Sequence, residues 1–199
     1  MRAEATLSAT KAKHGVYSFY NGATTSDYIY TPPSTDFDFT SPTEFTVEFW
    51  MNTTLYDVGY TRGVIATFGP VDTAGTGFSI GYYTGNITTH LGVDTLRIDD
   101  GLWHHISMSV DSTTTRVFID GNLRQSGARA ANTYNAARNL VIGNFANLDV
   151  NRVFVGYIDG LVIWKGVALR TAAFTPPARF LVDASPTENA LIFDDITPV

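Results

Sequence analysis

Between Trp103 and Gly121 apolar residues fall at every second position on either side of a break rich in Asp and Thr. Ile106, Met108 and Val110 precede the break, Val117 and Ile119 follow it, and Asp120-Gly121 supplies a tight turn. Successive side chains of a strand point to opposite faces, so this alternation predicts a β-hairpin with one face in a core. Phe45–Met51 (FTVEFWM) repeats the period with two substantial faces. Phe45, Val47 and Phe49 lie on one, and Thr46, Glu48 and Trp50 on the other. One face belongs to the core; the second is either a binding surface or covered by a loop.

Shorter runs of the same kind punctuate the rest of the chain. Val16–Tyr20 leads into an Asn21-Gly22 turn and Tyr28–Tyr30 resumes as strand. Val64–Phe68 stops at Gly69-Pro70, and Gly77–Tyr83 and Thr88–Leu96 flank Gly85-Asn86. Leu140–Gly143, Val153–Trp164 and Ala190–Phe193 complete the series. Residues 1–13 read as an extended arm, 124–139 as a looser section, and 165–174 has room for one helical turn before Pro176-Pro177. Many short strands at regular turn spacing, without amphipathic helices, predict an all-β sandwich or barrel in a single domain, residues 1–199.

Composition agrees and narrows the chemistry. The 199 residues include 13 Phe, 10 Tyr and 17 Gly but no Cys. Disulfides, thiolate metal sites and Cys nucleophiles are therefore excluded. Thirteen basic against 19 acidic residues give a formal net charge of -6, the opposite of a phosphate-binding footprint, so no nucleic acid is expected as a partner. No apolar run approaches the roughly 20 residues of a membrane span. The first residues, MRAEATLSATKAKHG, lack a signal-peptide core.

Several stretches then match one family pattern in order. They are Tyr17–Gly22 with Asp27-Tyr28-Ile29, Phe45–Trp50, Trp103–Ile106, Val117–Gly121, Leu140–Gly143 and Gly156–Asp159. Over about residues 14–177 the chain resembles the laminin-G-like, concanavalin-A-like domains. The resemblance implies a two-sheet antiparallel jelly-roll sandwich. Trp164–Ala168 with Phe174–Pro177 resembles the exit of the subgroup found in bacteriophage virion proteins. That implies a non-enzymatic structural module, decorating a capsid or serving a tail or fibre. Its partners would be the major capsid or tail protein and further copies of itself, for instance in a trimer, assembled in the host cytoplasm. The alternative is a carbohydrate-binding module, extracellular or at a cell surface, recognising a cell-surface glycan. The subgroup often starts with a Leu-Leu-His-Phe-Asp-Gly strand. Here a similar run sits at the other end, Ala190–Asp195, so residues 186–199 are expected to complete a sheet edge in cis or in trans.

Candidate chemistry follows from these assignments. Glycoside cleavage on this fold needs paired carboxylates about 5.5 Å apart for retention. No Glu-x-Asp-x-x-Glu spacing occurs, and Glu44 with Glu48 does not replace it. No Gly-x-Ser-x-Gly elbow is present either. No enzyme is expected. His104-His105 would point to opposite faces of a strand and cannot jointly hold a metal. For a glycan or protein partner, strand parity selects Trp50, Glu48 and Phe118, and loops add Tyr56, Tyr60, Tyr82 and Tyr83. Such aromatics stack on sugars or build subunit interfaces. The resemblance implies a structural calcium near the meeting of first and last strands, with Asp159 joined by Asp194 or Asp195, against their role as turn-forming aspartates.

Overall fold

The computed structural model describes residues 6–22, 28–68, 78–131, 137–145, 150–178 and 190–193. Its strands are β1 (Thr6–Ser8), β2 (Ser18–Asn21), β3 (Ile29–Tyr30), β4 (Phe45–Asn52), β5 (Arg62–Phe68), β6 (Ser79–Tyr83) and β7 (Asn86–Thr89). They continue with β8 (Gly92–Arg97), β9 (Trp103–Val110), β10 (Thr114–Ile119), β11 (Asn122–Ala128), β12 (Asn139–Ile142), β13 (Gly156–Lys165) and β14 (Ala190–Phe193). Two antiparallel sheets result. The larger runs β1-β2-β13-β4-β9-β10-β11, and the smaller runs β3-β12-β5-β6-β7-β8. This is the predicted two-layer sandwich.

The hairpin of β9 and β10 forms in the register its alternation requires, with Ile106 opposite Ile119 and Met108 opposite Val117. Those four residues and Val110 lie in the core between the sheets, with Phe45, Val47 and Phe49 of β4. Asp120 and Gly121 both take positive φ, 51° and 75°, the backbone of the tight hairpin turn that leads into β11. From the other sheet Ile80, Tyr82, Ile87, Leu140 and Ile142 close the same core. In β13 the pairing with β4 slips between Asp159 and Val162, and Gly160 takes φ 55° there. The bulge puts both Ile158 and Leu161 into the core and turns Val162 outward.

Three expectations need adjustment. Residues 124–128 of the looser section belong to β11, whose Arg124 reaches Asp94 of β8. Residues 166–177 contain no helical turn; they run as an irregular strap. Within the arm, Thr6–Ser8 pairs with β2. Ala190–Phe193 pairs with Leu161–Trp164 of β13, on the edge where β2 takes Gly156–Ile158.

Candidate functional site

Strand parity leaves a second face on the larger sheet: Thr46, Glu48 and Trp50 from β4, with His105, Ser107 and Ser109 from β9. All six are buried. Of the two alternatives for this face, a binding surface or a loop cover, the structure has the cover: the strap and the residues around Lys13 lie over it. Thr46 donates Oγ1 to Val167 O at 3.0 Å and accepts from Leu169 N at 2.9 Å, while Arg170 N donates to Ser109 Oγ at 3.1 Å. Arg170 then grips Glu48, Nε to Oε1 at 2.5 Å and an Nη to Oε2 at 3.2 Å, and Ser107 donates to the same carboxylate at 3.1 Å. Phe118, expected on this surface, is fully buried beneath Phe174, their centroids 5.4 Å apart. Trp50 keeps 7% exposure, with Lys13 Nζ 3.9 Å over its ring. Burial, reinforced by the Arg170 charge, pushes the His105 imidazole down to about 3 and keeps it neutral.

Asp159 serves the same cover. Its Oδ2 accepts from Lys13 N at 2.6 Å and His14 N at 2.9 Å, which pins residues 11–14 over the sheet. Burial raises its pKa against the pull of those two N–H groups. Among the described residues no group of three His, Asp or Glu could hold a metal ion. Asp194 and Asp195 lie outside the described residues, so the described ones do not assemble a calcium shell.

At one end of the sandwich three connections converge and expose aromatic rings. The β4–β5 loop is held by Tyr82, whose hydroxyl donates to Leu55 O at 2.7 Å, and by Thr84 N, which donates to Asp57 O at 3.2 Å. The β8–β9 connection joins through Ile98 N to Gly85 O at 2.8 Å and Gly101 N to Thr53 O at 3.0 Å. Tyr82 is therefore a buried anchor on β6, and burial drives its phenol upward in pKa. Tyr83, half-buried, also belongs to β6 and not to a loop. Tyr56 and Tyr60 are open rings, 55% and 46% exposed, with Val58 exposed between them in sequence and Leu102 exposed on the β8–β9 connection.

Two ion pairs stiffen this end. Arg97 stacks on Tyr56, its guanidinium carbon 4.7 Å from the ring centroid, and donates Nε to Asp99 Oδ1 at 2.9 Å. Arg62 donates Nε to Asp57 Oδ2 at 2.8 Å and reaches Val153 O at 2.8 Å. Asp57 titrates below the usual carboxylate range, chiefly through the Gly59 N–H and then through Arg62; Asp99 does so through Arg97. The local spacings Asp57/Arg62 and Arg97/Asp99 are visible in the chain, yet sequence reasoning selected only the tyrosines. Arg170 carries no such signal, because Glu48 lies 122 positions away.

Two stacked antiparallel sheets in this strand order define a lectin-like jelly roll, the class that the laminin-G and concanavalin-A architecture describes. Residues 22–173 match the family described as the concanavalin A-like lectin/glucanases superfamily, of laminin-G type, and the chain belongs to it. Similar solved structures include the binding domain of Paraclostridial Mosquitocidal Protein 1, at 15% identity and TM-score 0.56, covering 86% of this chain and 43% of that one. Domain 4 of AbnA, a GH43 extracellular arabinanase from Geobacillus stearothermophilus in complex with arabinotriose, aligns at 19% identity and TM-score 0.60, covering 85% and 79%. Mouse laminin alpha1 domains LG4-5 align at 12% and TM-score 0.58, covering 89% and 48%. The chain thus spans less than half the length of the first and third of these. No curated protein matches it significantly.

Proposed function

We propose that this chain is a non-catalytic binding module and that a glycan docks on the loop end around Tyr56 and Tyr60. The observation that carries this is the exposure of two tyrosine rings on connections pinned from below by Tyr82 and Thr84. Rigid aromatic faces stack on the apolar faces of sugars, and neighbouring charged groups offer hydrogen bonds to hydroxyls. The arabinotriose complex of the arabinanase domain supports a sugar ligand on this fold. Glu48, the carboxylate nearest to a catalytic reading, is occupied by Arg170 and shielded from solvent. A glycan array followed by calorimetry on Tyr56→Ala and Tyr60→Ala tests the proposal. Binding to at least one glycan should weaken about tenfold or more in Tyr56→Ala, with the far-UV spectrum unchanged. Silence across the array, or binding indifferent to both variants, would overturn it.

A virion setting is the second reading, favoured by the Trp164–Ala168 and Phe174–Pro177 motif, whose strap closes the outer face. Here the module decorates a capsid, tail or fibre, as an oligomer beside the major capsid or tail protein, and displays the same rim outward. Capsid genes adjacent to the coding sequence and a trimer by light scattering are the expected results; a monomer encoded among polysaccharide-degradation genes would point to the extracellular setting instead.

A further inference from the structure

The sandwich also contains a cavity of about 320 Å³. Phe39, Phe45 and Phe78 form an aromatic wall, with centroids 4.6, 5.4 and 5.3 Å apart in pairs, and Met108 and Val110 extend it. Ser79 and His90, both exposed, stand at its mouth. The volume falls at the small end of the range, from about 300 Å³, that small-molecule sites occupy. Filled with water it would hold about ten molecules at ~30 Å³ each, and its apolar wall offers them few partners.

Two polar side chains in the lining are unsatisfied. Thr115 is 1% exposed, and its hydroxyl has no hydrogen-bond partner among the described residues. Arg129 Nε is likewise buried without one. The rest of that guanidinium is fixed by backbone carbonyls: one Nη donates to Asp111 O at 3.0 Å and the other to Phe39 O at 3.1 Å. No carboxylate among the described residues forms an ion pair with it. Thr115 pairs with Gly127 across β10 and β11, and Arg129 lies two residues further on, its N–H bonded to Thr113 O at 2.8 Å. Cross-strand parity therefore puts both side chains on one face as diagonal neighbours. A buried donor left without an acceptor is destabilising, and native proteins keep few of them.

We propose that this cavity binds a small carboxylic acid with an aromatic or branched apolar body. The carboxylate accepts from Thr115 Oγ1 and Arg129 Nε, and the body packs against the Phe39–Phe45–Phe78 wall. Asp111 and Glu44 act on Arg129 only at a distance, so the anion supplies a direct ion pair that no described carboxylate forms, and charge-assisted bonds are the stronger kind. A hydroxyl with no partner also makes a clean test, because Thr115→Val removes it while keeping the β-branched shape.

The experiment titrates the isotope-labelled full chain with phenylacetate and with phenylacetamide, following backbone amide shifts. Phenylacetate should shift amides of β10, of β11 and around Phe78. Its affinity should fall about tenfold in Thr115→Val and in Arg129→Lys, the factor expected for one lost hydrogen bond to a charged group. Phenylacetamide should bind about tenfold more weakly than the acid. Thr115→Val should melt no lower than the parent protein. The proposal is overturned if no lining amide shifts at millimolar phenylacetate, or if acid and amide bind alike. It is equally overturned if Thr115→Val lowers the melting temperature, since the hydroxyl would then be bonded internally.

Discussion

Replacing Arg170 by Met would expose how much the covered face depends on one charge pair. Glu48 is 0% exposed and receives two bonds from Arg170 and one from Ser107. Met keeps much of the stem that packs near Phe174, whose ring lies 4.3 Å from the guanidinium, but leaves the carboxylate with only the serine hydroxyl. Breaking a buried pair costs roughly 3–5 kcal/mol, because the surviving charge is left desolvated. Arg170 itself is 26% exposed, so water re-entering along the strap tempers the loss. The expected cost is about 3 kcal/mol, at the low end of that range. For a chain of this size it lowers the melting temperature by roughly 6–12 °C. Urea denaturation, read at constant slope, gives the free energy directly. Combining Arg170→Met with Glu48→Gln removes the orphaned charge and should restore at least half of the loss. The imidazole of His105 provides a second readout. Arg170 is one cause of its low pKa and Glu48 Oε2 lies 3.9 Å away, so in Arg170→Met its titration should move upward by NMR. A single-mutant cost below about 1 kcal/mol, or a double mutant no better than the single, would refute the reasoning.

Other outcomes follow from the same structure. His104 donates between two carboxylates, Nδ1 to Asp120 at 2.8 Å and Nε2 to Asp100 at 3.1 Å, and the Asp120 bond foremost raises its pKa. Its stabilising contribution is complete below the unfolded value of about 6.5 and disappears as pH rises through the folded value. His104→Asn should therefore flatten the decline in stability above neutrality in pH-resolved melting. Gly121→Ala should destabilise far more than Gly92→Ala, although both glycines have positive φ. A Cβ at 121 would lie 1.8 Å from Phe174 O, whereas one at 92 meets nothing within 4 Å; equal melting temperatures would sever the strap from that turn. Deleting residues 186–199 removes β14 from β13, and we expect a lower melting temperature or a dissociated oligomer. Unchanged melting and mass would remove any role for the C-terminal strand.

Legibility in the sequence differed by scale. Period-2 runs located β4 and the β9–β10 hairpin and apolar runs located β12 and β13, with β10 and β13 starting three residues from the predicted ends, and parity named the core residues Ile106, Met108, Val110, Val117 and Ile119. β11 escaped because NLRQSGA has no alternation of its own; it forms as an edge against β10, and its partly exposed pattern follows. At the candidate site, Tyr56 and Tyr60 were recognisable as loop aromatics. Tyr82 was not recognisable as their anchor, since only the fold carries Leu55 O to its hydroxyl.

By itself the sequence determined what is local. Alternation sets which side chains share a face, Gly and Asp at positive φ set the turns, and the lack of Cys leaves burial to hold the sheets together. Tertiary structure decided whether the second face of β4 meets water. Alternation reports that Thr46, Glu48 and Trp50 point together but carries no information on what lies above them. A strap reaching back from residues 167–174 answers that with Arg170 and Phe174, and a contact spanning 122 positions leaves no periodic trace.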